Sequence, residues 1–127
     1  MDLKLESRDG FLLATATAQV SSSEAREWCK NICDPAADRG FNRIVLDCLG
    51  VEGELSDLER YEIGKSMAEN CLNHSMFPTV AVVGKPPTIT GFGALVALNR
   101  GLTVFTFSER QAALDWLMGL RSIGAKS

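Results

Sequence analysis

Four carboxylates crowd into eight residues near the middle of the 127-residue chain. They are Glu52, Glu54, Asp57 and Glu59. Acidic residues in a first helical turn lie at the positive end of the helix dipole, so the first interpretation of the cluster is the start of a helix. The functional alternatives are an acidic docking surface for a basic partner and, less favoured, a hard-cation site completed by Asp47. The docking residues would be Glu52, Glu54, Ser56 and Asp57.

Ser56 lies among these acids, and its hydroxyl is a candidate nucleophile. With Glu59 it forms the Ser-x-x-Glu pattern of a capping box, which predicts a helix from here to about Leu72. A nucleophilic role is disfavoured, because Ser56 lacks the flanking glycines of a nucleophile elbow and His74 is the single histidine. With no nucleophile and base to pair, the sequence predicts a protein that is not an enzyme. The cysteine spacing and the single histidine do not match a zinc site, so no metal is expected, and no cofactor is expected either.

A second group of candidate residues follows the apolar run 79–84, which predicts a buried strand. Residues 85–92 include two consecutive prolines and are more apolar than a solvated loop requires. The first interpretation is a rigid connection whose Ile89 and Phe92 pack inward. The alternative is the lip of a pocket for an apolar ligand, formed by Lys85, Ile89 and Phe92.

Composition excludes several classes of protein. Lysine and arginine number 13 against 16 acidic residues, and no basic run offers the positive surface that nucleic acids require. No apolar stretch approaches the ~18 residues of a membrane-spanning helix. The apolar run 11–20 follows a segment of mixed charge, so we interpret it as a strand rather than a signal peptide. The four cysteines contain no Cys-x-x-Cys pair, which favours reduced thiols and a cytoplasmic protein.

The N-terminal residues predict a β-hairpin. The Asp-Gly pair at 9–10 offers two positive-φ positions for a tight turn between two extended runs. This turn fixes a register in which Leu5 faces Ala14 and Leu3 faces Ala16. One face of the ribbon then carries leucines and small alanines, against which helices can pack closely, while the other face is mixed.

The rest of the chain alternates helices and strands. Apolar spacing predicts helices near 21–33, 56–72, 90–100 and 108–120, and short apolar runs predict strands at 44–46, 79–84 and 104–107. We expect Asp34-Pro35 to kink the first helix or divide it in two. The order ββαβαβαβα predicts one α/β domain over residues 1–127. Its mixed sheet of about five strands combines an N-terminal hairpin with βαβ crossovers, and its helices lie mainly on one face.

Residues 44–58, IVLDCLGVEGELSDL, resemble the strand, loop and helix start of STAS domains, the fold of anti-sigma-factor antagonists. The ending, NRGLTVF followed by AALDWL, is similar to the SpoIIAA-like branch. The resemblance covers nearly the whole chain in the order of its elements, and it implies a SpoIIAA/STAS-like fold.

The resemblance also implies a site for regulation. In the family's regulatory members, a Ser or Thr at the start of the second helix is phosphorylated by an anti-sigma-factor kinase, and only the unmodified form binds that partner. Residues 46–47 and 50–51 match the family's strand end, which puts Ser56 at the phosphoacceptor position. Leu55 and Leu58 stand where the family has Asp and Gly.

Together these observations predict a non-catalytic domain for regulatory protein–protein interaction in the cytoplasm of a bacterium. The expected partner is a protein, such as a regulatory kinase or an anti-sigma factor. A homodimer is left open, and nucleic acid is not an expected partner. The SpoIIAA-like branch is also similar in fold to the lipid-binding domain of Sec14-type proteins. The alternative function is therefore a small apolar-ligand or lipid-binding module.

Overall fold

The computed structural model describes residues 2–19, 21–75 and 78–126, with residues 120–126 described by their backbone alone. The strands are β1 (Asp2–Arg8), β2 (Phe11–Gln19), β3 (Arg43–Glu52), β4 (Thr79–Val83) and β5 (Thr103–Phe107). The helices are α1 (Ser22–Asp38), α2 (Asp57–Asn73), α3 (Phe92–Asn99) and α4 (Arg110–Lys126). No helix within the described ranges is long and apolar enough to cross a membrane. The order of these elements confirms the predicted α/β fold.

Within the described ranges, the five strands form one mixed sheet in the order β1-β2-β3-β4-β5. β1 and β2 are antiparallel, and each later pair of neighbours is parallel. Leu3 lies opposite Ala16 and Leu5 opposite Ala14, which confirms the predicted hairpin register. The prediction of two positive-φ turn residues was wrong for one of them, since of this pair only Gly10 has a positive φ, 88°. One glycine closes the turn because it adopts this conformation without the steric cost of a Cβ.

Helices cover both faces of the sheet, but mainly one. On the first face, apolar residues of α1, α2 and α3, including Ile32 and Met67, pack against β2 to β5. On the second face, Leu117 of α4 packs against Val45 of β3 and its neighbours. Ile44, which directly precedes Val45 in β3, is fully buried on the first face. This division confirms the predicted placement of the helices.

Helix α1 is continuous through Pro35, so of the two outcomes predicted at Asp34-Pro35, a kink or two separate helices, the division into two helices was wrong. Pro35 falls in the last turn of the helix, where its missing N–H removes a single helical hydrogen bond. The adjacent Ala36 is fully buried in the first-face core. Packing of this last turn therefore outweighs the lost hydrogen bond.

Strand β3 extends well beyond the predicted segment 44–46. It runs on to Glu52 and pairs with β2 on one side and β4 on the other. Cys48 and Val51 are buried in the first-face core, so burial continues past the short apolar run visible in the sequence. Glu52 is thus the last residue of a strand rather than part of a loop.

Asp47 of β3 carries a buried carboxylate that is paired across the second face. Its Oδ2 accepts a hydrogen bond from Nε of Arg110 (2.9 Å), and its Oδ1 accepts one from the backbone N–H of Leu49 (3.0 Å). This ion pair joins β3 to the start of α4. Among the residues that the structure describes, no three His, Cys, Asp or Glu side chains are placed to hold a metal ion, so the hard-cation alternative at Asp47 gains no support.

Helices α2 and α3 approach each other closely at Gly64. A Cβ at this position would overlap the carbonyl oxygen of Gly93 and would lie 3.0 Å from the Cβ of Val96. One turn earlier in α2, the carbonyl oxygen of Arg60 also lies against Gly93. Because Gly64 lacks a side chain, α2 can lie this close to the first turn of α3.

We expect Gly64→Ala to lower the free energy of unfolding by about 1–3 kcal/mol, because the added methyl group must push α2 and α3 apart. Gly119→Ala is the matched control, since a Cβ at Gly119 in α4 would meet nothing within 4 Å. There the same change should raise the free energy of unfolding by up to about 1 kcal/mol. Urea denaturation followed by circular dichroism checks both. A Gly64→Ala variant as stable as the wild type would contradict the close contact.

Candidate functional site

Two loops meet at the carboxyl ends of the parallel strands. Residues 53–56 connect β3 to α2 and are here named the acidic loop. Residues 84–91 connect β4 to α3 and are here named the proline loop. In open α/β sheets, ligands bind in the crevice outside this edge of the strands.

Two hydrogen bonds hold the proline loop against the acidic loop and α2. The Thr88 hydroxyl donates to the carbonyl oxygen of Gly53 (2.6 Å), and Nη2 of Arg60 donates to the carbonyl oxygen of Pro87 (2.6 Å). The proline loop also folds back on its own strand, because the side chain of Ile89 fills the space of a Cβ at Gly84. The two candidate regions, which are far apart in sequence, therefore adjoin.

The residues proposed for partner docking are all exposed. They are Glu52, Glu54, Ser56 and Asp57, and together they are named the acidic surface. Leu58 follows in the first turn of α2 and is 70% exposed. A partner would therefore meet carboxylates and a large apolar side chain side by side.

Ser56 is the N-cap residue of α2 and forms the predicted capping box with Glu59. Its Oγ accepts a hydrogen bond from the backbone N–H of Glu59 (3.1 Å), and Oε1 of Glu59 accepts one from the backbone N–H of Ser56 (2.9 Å). Hydrogen bonds from the backbone and then the side chain of Ser56 lower the pKa of Glu59. The Ser56 hydroxyl is thus exposed to solvent and also holds the start of the helix.

Ser56 and His74 cannot act together as nucleophile and base. They flank the 17-residue helix α2 at opposite ends, which separates them by about 26 Å at a rise of 1.5 Å per residue. The imidazole of His74 instead contacts α1, with Nε2 2.5 Å from Oδ1 of Asp34.

An apolar cavity of about 140 Å³ lies behind the two loops, between the first-face helices and the sheet. Its walls include Trp28, Ile32, Ile63, Met67, Val80 and Ala94. Leu46 and Val82 also line it and remain only half-buried although they lie on central strands, so the cavity opens to solvent. Of the three residues proposed as a ligand lip, Ile89 lines the cavity, whereas Lys85 and Phe92 are exposed and lie outside its lining.

Two thiols in the cavity wall are uncharged near neutral pH. Burial raises the pKa of Cys29 and of Cys48 to about 12. Both residues line the cavity, and both are free rather than disulfide-bonded. Among the described residues that line the cavity, Arg60 is therefore the one with a charged side chain.

Arg60 lies at the junction of the cavity and the two loops, with 9% of its surface exposed. Its Nη2 bonds Pro87, and its Nη1 lies 3.4 Å from Oδ1 of Asp57, a side chain that is 83% exposed. Its Nε is buried and has no hydrogen-bond partner among the described residues. Arg60 thus contributes to the lining of the cavity and also carries one buried donor without an acceptor.

The sequence pattern indicates Arg60, which the predicted site residues did not include. Arg60 precedes Gly64, Met67 and Cys71 by 4, 7 and 11 residues, the spacing of one helix face. These residues form the buried stripe of α2. A charge on such a stripe indicates a specific polar partner or site, because an unpaired charge is costly to bury.

Comparison with known proteins bears on the fold. No protein-family model matches the chain, and no curated protein matches its sequence. An anti-sigma factor antagonist from Mycobacterium paratuberculosis has a similar structure, with a TM-score of 0.61 and 15% identity over 92% of this chain and 93% of that chain. The anti-sigma factor antagonist SpoIIAA, in its unphosphorylated form, gives a TM-score of 0.55 and 11% identity over 93% of this chain and 99% of that chain. A Thermotoga maritima protein, provisionally assigned to the same class, has a TM-score of 0.62 and 15% identity over 91% of this chain and 94% of that chain.

These similarities establish the fold of the chain. Each covers more than nine-tenths of both proteins, and two of the structures belong to anti-sigma factor antagonists. The chain therefore has the SpoIIAA-like STAS fold, as its resemblance predicted. At 11–15% identity, the similarity shows the arrangement of helices and strands and assigns no site residues.

We expect Ser56→Ala to lower the free energy of unfolding by about 1 kcal/mol at neutral pH, because it removes the N-cap acceptor of α2. Ionised Glu59 has a lowered pKa in the folded state, so its stabilising contribution is present above its unfolded pKa and is lost as the pH falls through the folded one. The difference in free energy of unfolding between Ser56→Ala and the wild type should therefore become smaller as the pH falls. Urea denaturation at a series of pH values measures it.

Ser23→Ala is the control for the Ser56 variant. Ser23 is exposed in the first turn of α1 but is not its N-cap, so this change should alter stability by less than about 0.5 kcal/mol. NMR titration should also show a higher pKa of Glu59 in Ser56→Ala than in the wild type. An unchanged Glu59 pKa together with unchanged stability would show that the capping box contributes nothing.

Proposed function

We propose that this protein, with its SpoIIAA-like STAS fold, is a non-catalytic regulatory module that binds a protein partner through the acidic surface. The observation that carries the proposal is the exposure of Glu52, Glu54, Ser56 and Asp57 beside the exposed Leu58. Solved anti-sigma factor antagonists share the fold, which supports a regulatory role. A cytoplasmic location is part of the proposal, supported by four free, buried cysteines.

The chemistry of the acidic surface suggests the kind of partner. Carboxylates at the rim of an interface attract basic residues and speed association, while a large apolar side chain adds affinity when it is desolvated. The partner that fits carries basic groups around an apolar recess for Leu58. A regulatory kinase or an anti-sigma factor is the partner class that the family resemblance suggests. A homodimer through this surface is disfavoured, because two copies would bring like charges together.

Phosphorylation of Ser56 is the regulatory step in this proposal. The exposed hydroxyl is accessible to a kinase, and a phosphate adds a charge of about −2 next to carboxylates. Like-charge repulsion from Glu59 would break the capping box and loosen the first turn of α2. Because Leu58 lies in that turn, the modification would disturb both the charge and the shape that the partner binds.

Ligand binding is the second candidate function, and one observation favours it, the apolar cavity behind the two loops. At about 140 Å³ the cavity is well below the roughly 300–1,000 Å³ of sites for drug-sized ligands. Its size therefore fits a small apolar molecule better than a membrane lipid of the Sec14 type.

We expect the double variant Glu54→Lys/Asp57→Lys to lose partner binding. Reversing two exposed charges replaces attraction by repulsion, so recovery of the partner after cross-linking in lysate should fall by about tenfold or more. Quantitative mass spectrometry against the wild type measures this. The control is Glu27→Lys/Asp38→Lys, which makes the same change in charge at exposed positions of α1.

Circular dichroism and thermal unfolding of both double variants establish that the fold is retained. A partner that is recovered equally with wild type and Glu54→Lys/Asp57→Lys would overturn the acidic surface as the docking site. Equal losses in both double variants would mean that net charge alone is recognised, which also contradicts a specific surface.

Leu58→Ser tests the apolar part of the same surface. Because Leu58 is 70% exposed, the change should alter the free energy of unfolding by less than about 0.5 kcal/mol while weakening partner binding. Leu72→Ser, at a 44% exposed position near the other end of α2, is the matched control and should leave binding intact. Unchanged capture by Leu58→Ser would remove Leu58 from the interface.

A further inference from the structure

We propose that Cys33 and Cys71 form a reversible disulfide when the protein meets a peroxide, and that this bond joins α1 to α2. The inference goes beyond the proposed function, because it uses neither the acidic surface nor the cavity. It follows from the contact of the two thiols, from the place of Cys71 at the end of a helix, and from the chemistry of the other two cysteines.

The two sulfur atoms already lie side by side between the helices. Sγ of Cys33 is 2.9 Å from Sγ of Cys71, although 38 positions separate the two residues in the chain. A disulfide bond measures about 2.05 Å, so the sulfur atoms need to approach by less than about 1 Å. Both cysteines are free, and both are fully buried in the core of the first face. The packing of α1 on α2 therefore places two thiols where a covalent bond can replace their contact.

The other two cysteines are poor candidates for the same reaction. The thiolate is the form that attacks a peroxide, and burial raises the pKa of Cys29 and of Cys48 to about 12. The Cys29 thiol also donates to backbone carbonyl oxygens, those of Ala25 (3.4 Å) and Ile63 (3.7 Å). We therefore expect oxidation to select the Cys33–Cys71 pair.

The end of α2 gives a peroxide access to Cys71. Cys71 lies in the last turn of α2, which ends at Asn73, and a solvent-exposed contact between His74 and Asp34 attaches this end to α1. Exposed contacts of this kind contribute little to stability, and helix ends open locally at a low cost in free energy. A brief opening of the last turn exposes the Cys71 thiol to solvent, and closing returns it to Cys33.

The reaction balances with hydrogen peroxide as the oxidant. The exposed Cys71 thiolate attacks one peroxide oxygen, which forms an S–O bond, breaks the O–O bond and releases hydroxide. The hydroxide takes up the proton that the thiol lost and leaves as water. When the turn closes, Sγ of Cys33 attacks the sulfur of the sulfenic acid, forms the S–S bond and releases a second water with its own proton. Two thiols and one peroxide thus give one disulfide and two waters.

The disulfide would make the fold more stable for as long as it persists. A disulfide stabilises a protein mainly because it restricts the unfolded chain, and the effect grows with the length of the loop that it closes. Here the two cysteines are 38 positions apart. A dithiol reverses the bond by thiol–disulfide exchange, so in a reducing compartment it would be transient, as redox-sensing disulfides are.

Peptide mapping identifies the bond directly. Cleavage after Lys30, Arg43 and Lys65, among other basic residues, places the four cysteines in four different tryptic peptides. The folded chain is reduced, treated with hydrogen peroxide and blocked with iodoacetamide, then digested and analysed by mass spectrometry without reductant. We expect one linked product, residues 31–39 joined to residues 66–100, which disappears on treatment with dithiothreitol.

Cysteine variants and thermal unfolding test the same bond independently. Cys33→Ala and Cys71→Ala should each abolish the linked product, whereas Cys48→Ala, which removes a buried thiol of β3, is the matched control and should keep it. Oxidation should raise the Tm of the wild type by about 5–10 °C, and dithiothreitol should reverse the rise. The same peroxide treatment should raise the Tm of neither Cys33→Ala nor Cys71→Ala.

Asp34→Ala tests the route of access. Loss of the contact with His74 should make opening at the end of α2 more frequent, so the linked product should form about twofold to fivefold faster. Asp38→Ala, at an exposed position of the same helix, is the control and should leave the rate unchanged. Equal rates in Asp34→Ala and Asp38→Ala would overturn access through the end of α2.

Absence of the linked product from the oxidised wild type would overturn the proposal, as would a link that involves Cys29 or Cys48 instead. A linked protein with a lower Tm than the reduced protein would show that the fold does not accept the bond, which also contradicts the proposal. These results need only the wild-type chain, so they stand even where a cysteine variant fails to fold. Partner capture through the acidic surface is a separate measurement, so failure of one proposal leaves the other intact.

Discussion

The close contact of α2 with α3 at Gly64 determines where the functional groups of this protein lie. Because Gly64 has no side chain, the carbonyl oxygen of Gly93 occupies the space beside it. Arg60, one turn earlier, is then held under the proline loop, where its guanidinium reaches Pro87. If α2 lay farther from α3, the guanidinium would also lie farther from Pro87, and the proline loop would lose this hydrogen bond.

Arg60 connects the two parts of the site. One nitrogen faces Asp57 of the acidic surface, another holds the proline loop, and the third is the unused donor of a residue that lines the cavity. The Thr88–Gly53 hydrogen bond adds a second connection between the loops. A partner residue that contacts Asp57 would therefore act on the same guanidinium that holds the proline loop.

The central strand β3 imposes a second constraint, because both of its faces are covered by helices. Ile44 is buried against the helices of the first face, and Val45 is buried against α4. Asp47 points to the same side as Val45, where its buried carboxylate is compensated by Arg110. A buried carboxylate needs such a partner, since an unpaired charge in the core would be unfavourable. The Asp47 carboxylate thus stabilises the packing of α4 against β3 through Arg110.

The amino-acid sequence alone determined the order of the elements, the hairpin register and the capping box at Ser56. These features depend on contacts between residues close in the chain, which turn chemistry and apolar periodicity reveal. Predictions from local patterns were wrong where packing decided the outcome. The predicted division of α1 is one case, since burial of Ala36 keeps Pro35 within one helix. Likewise, β3 extends past its short apolar run because Cys48 and Val51 are buried.

Tertiary structure alone decided how the candidate residues are grouped. The acidic loop and the proline loop are about 30 residues apart in the chain, and they meet because β3 and β4 are parallel neighbours whose carboxyl ends share one edge. The cavity and the unused donor of Arg60 depend on how α2 and α3 pack on the sheet. No local pattern encodes the distance between these helices and the sheet, because this distance depends on the shapes of side chains that are far apart in sequence.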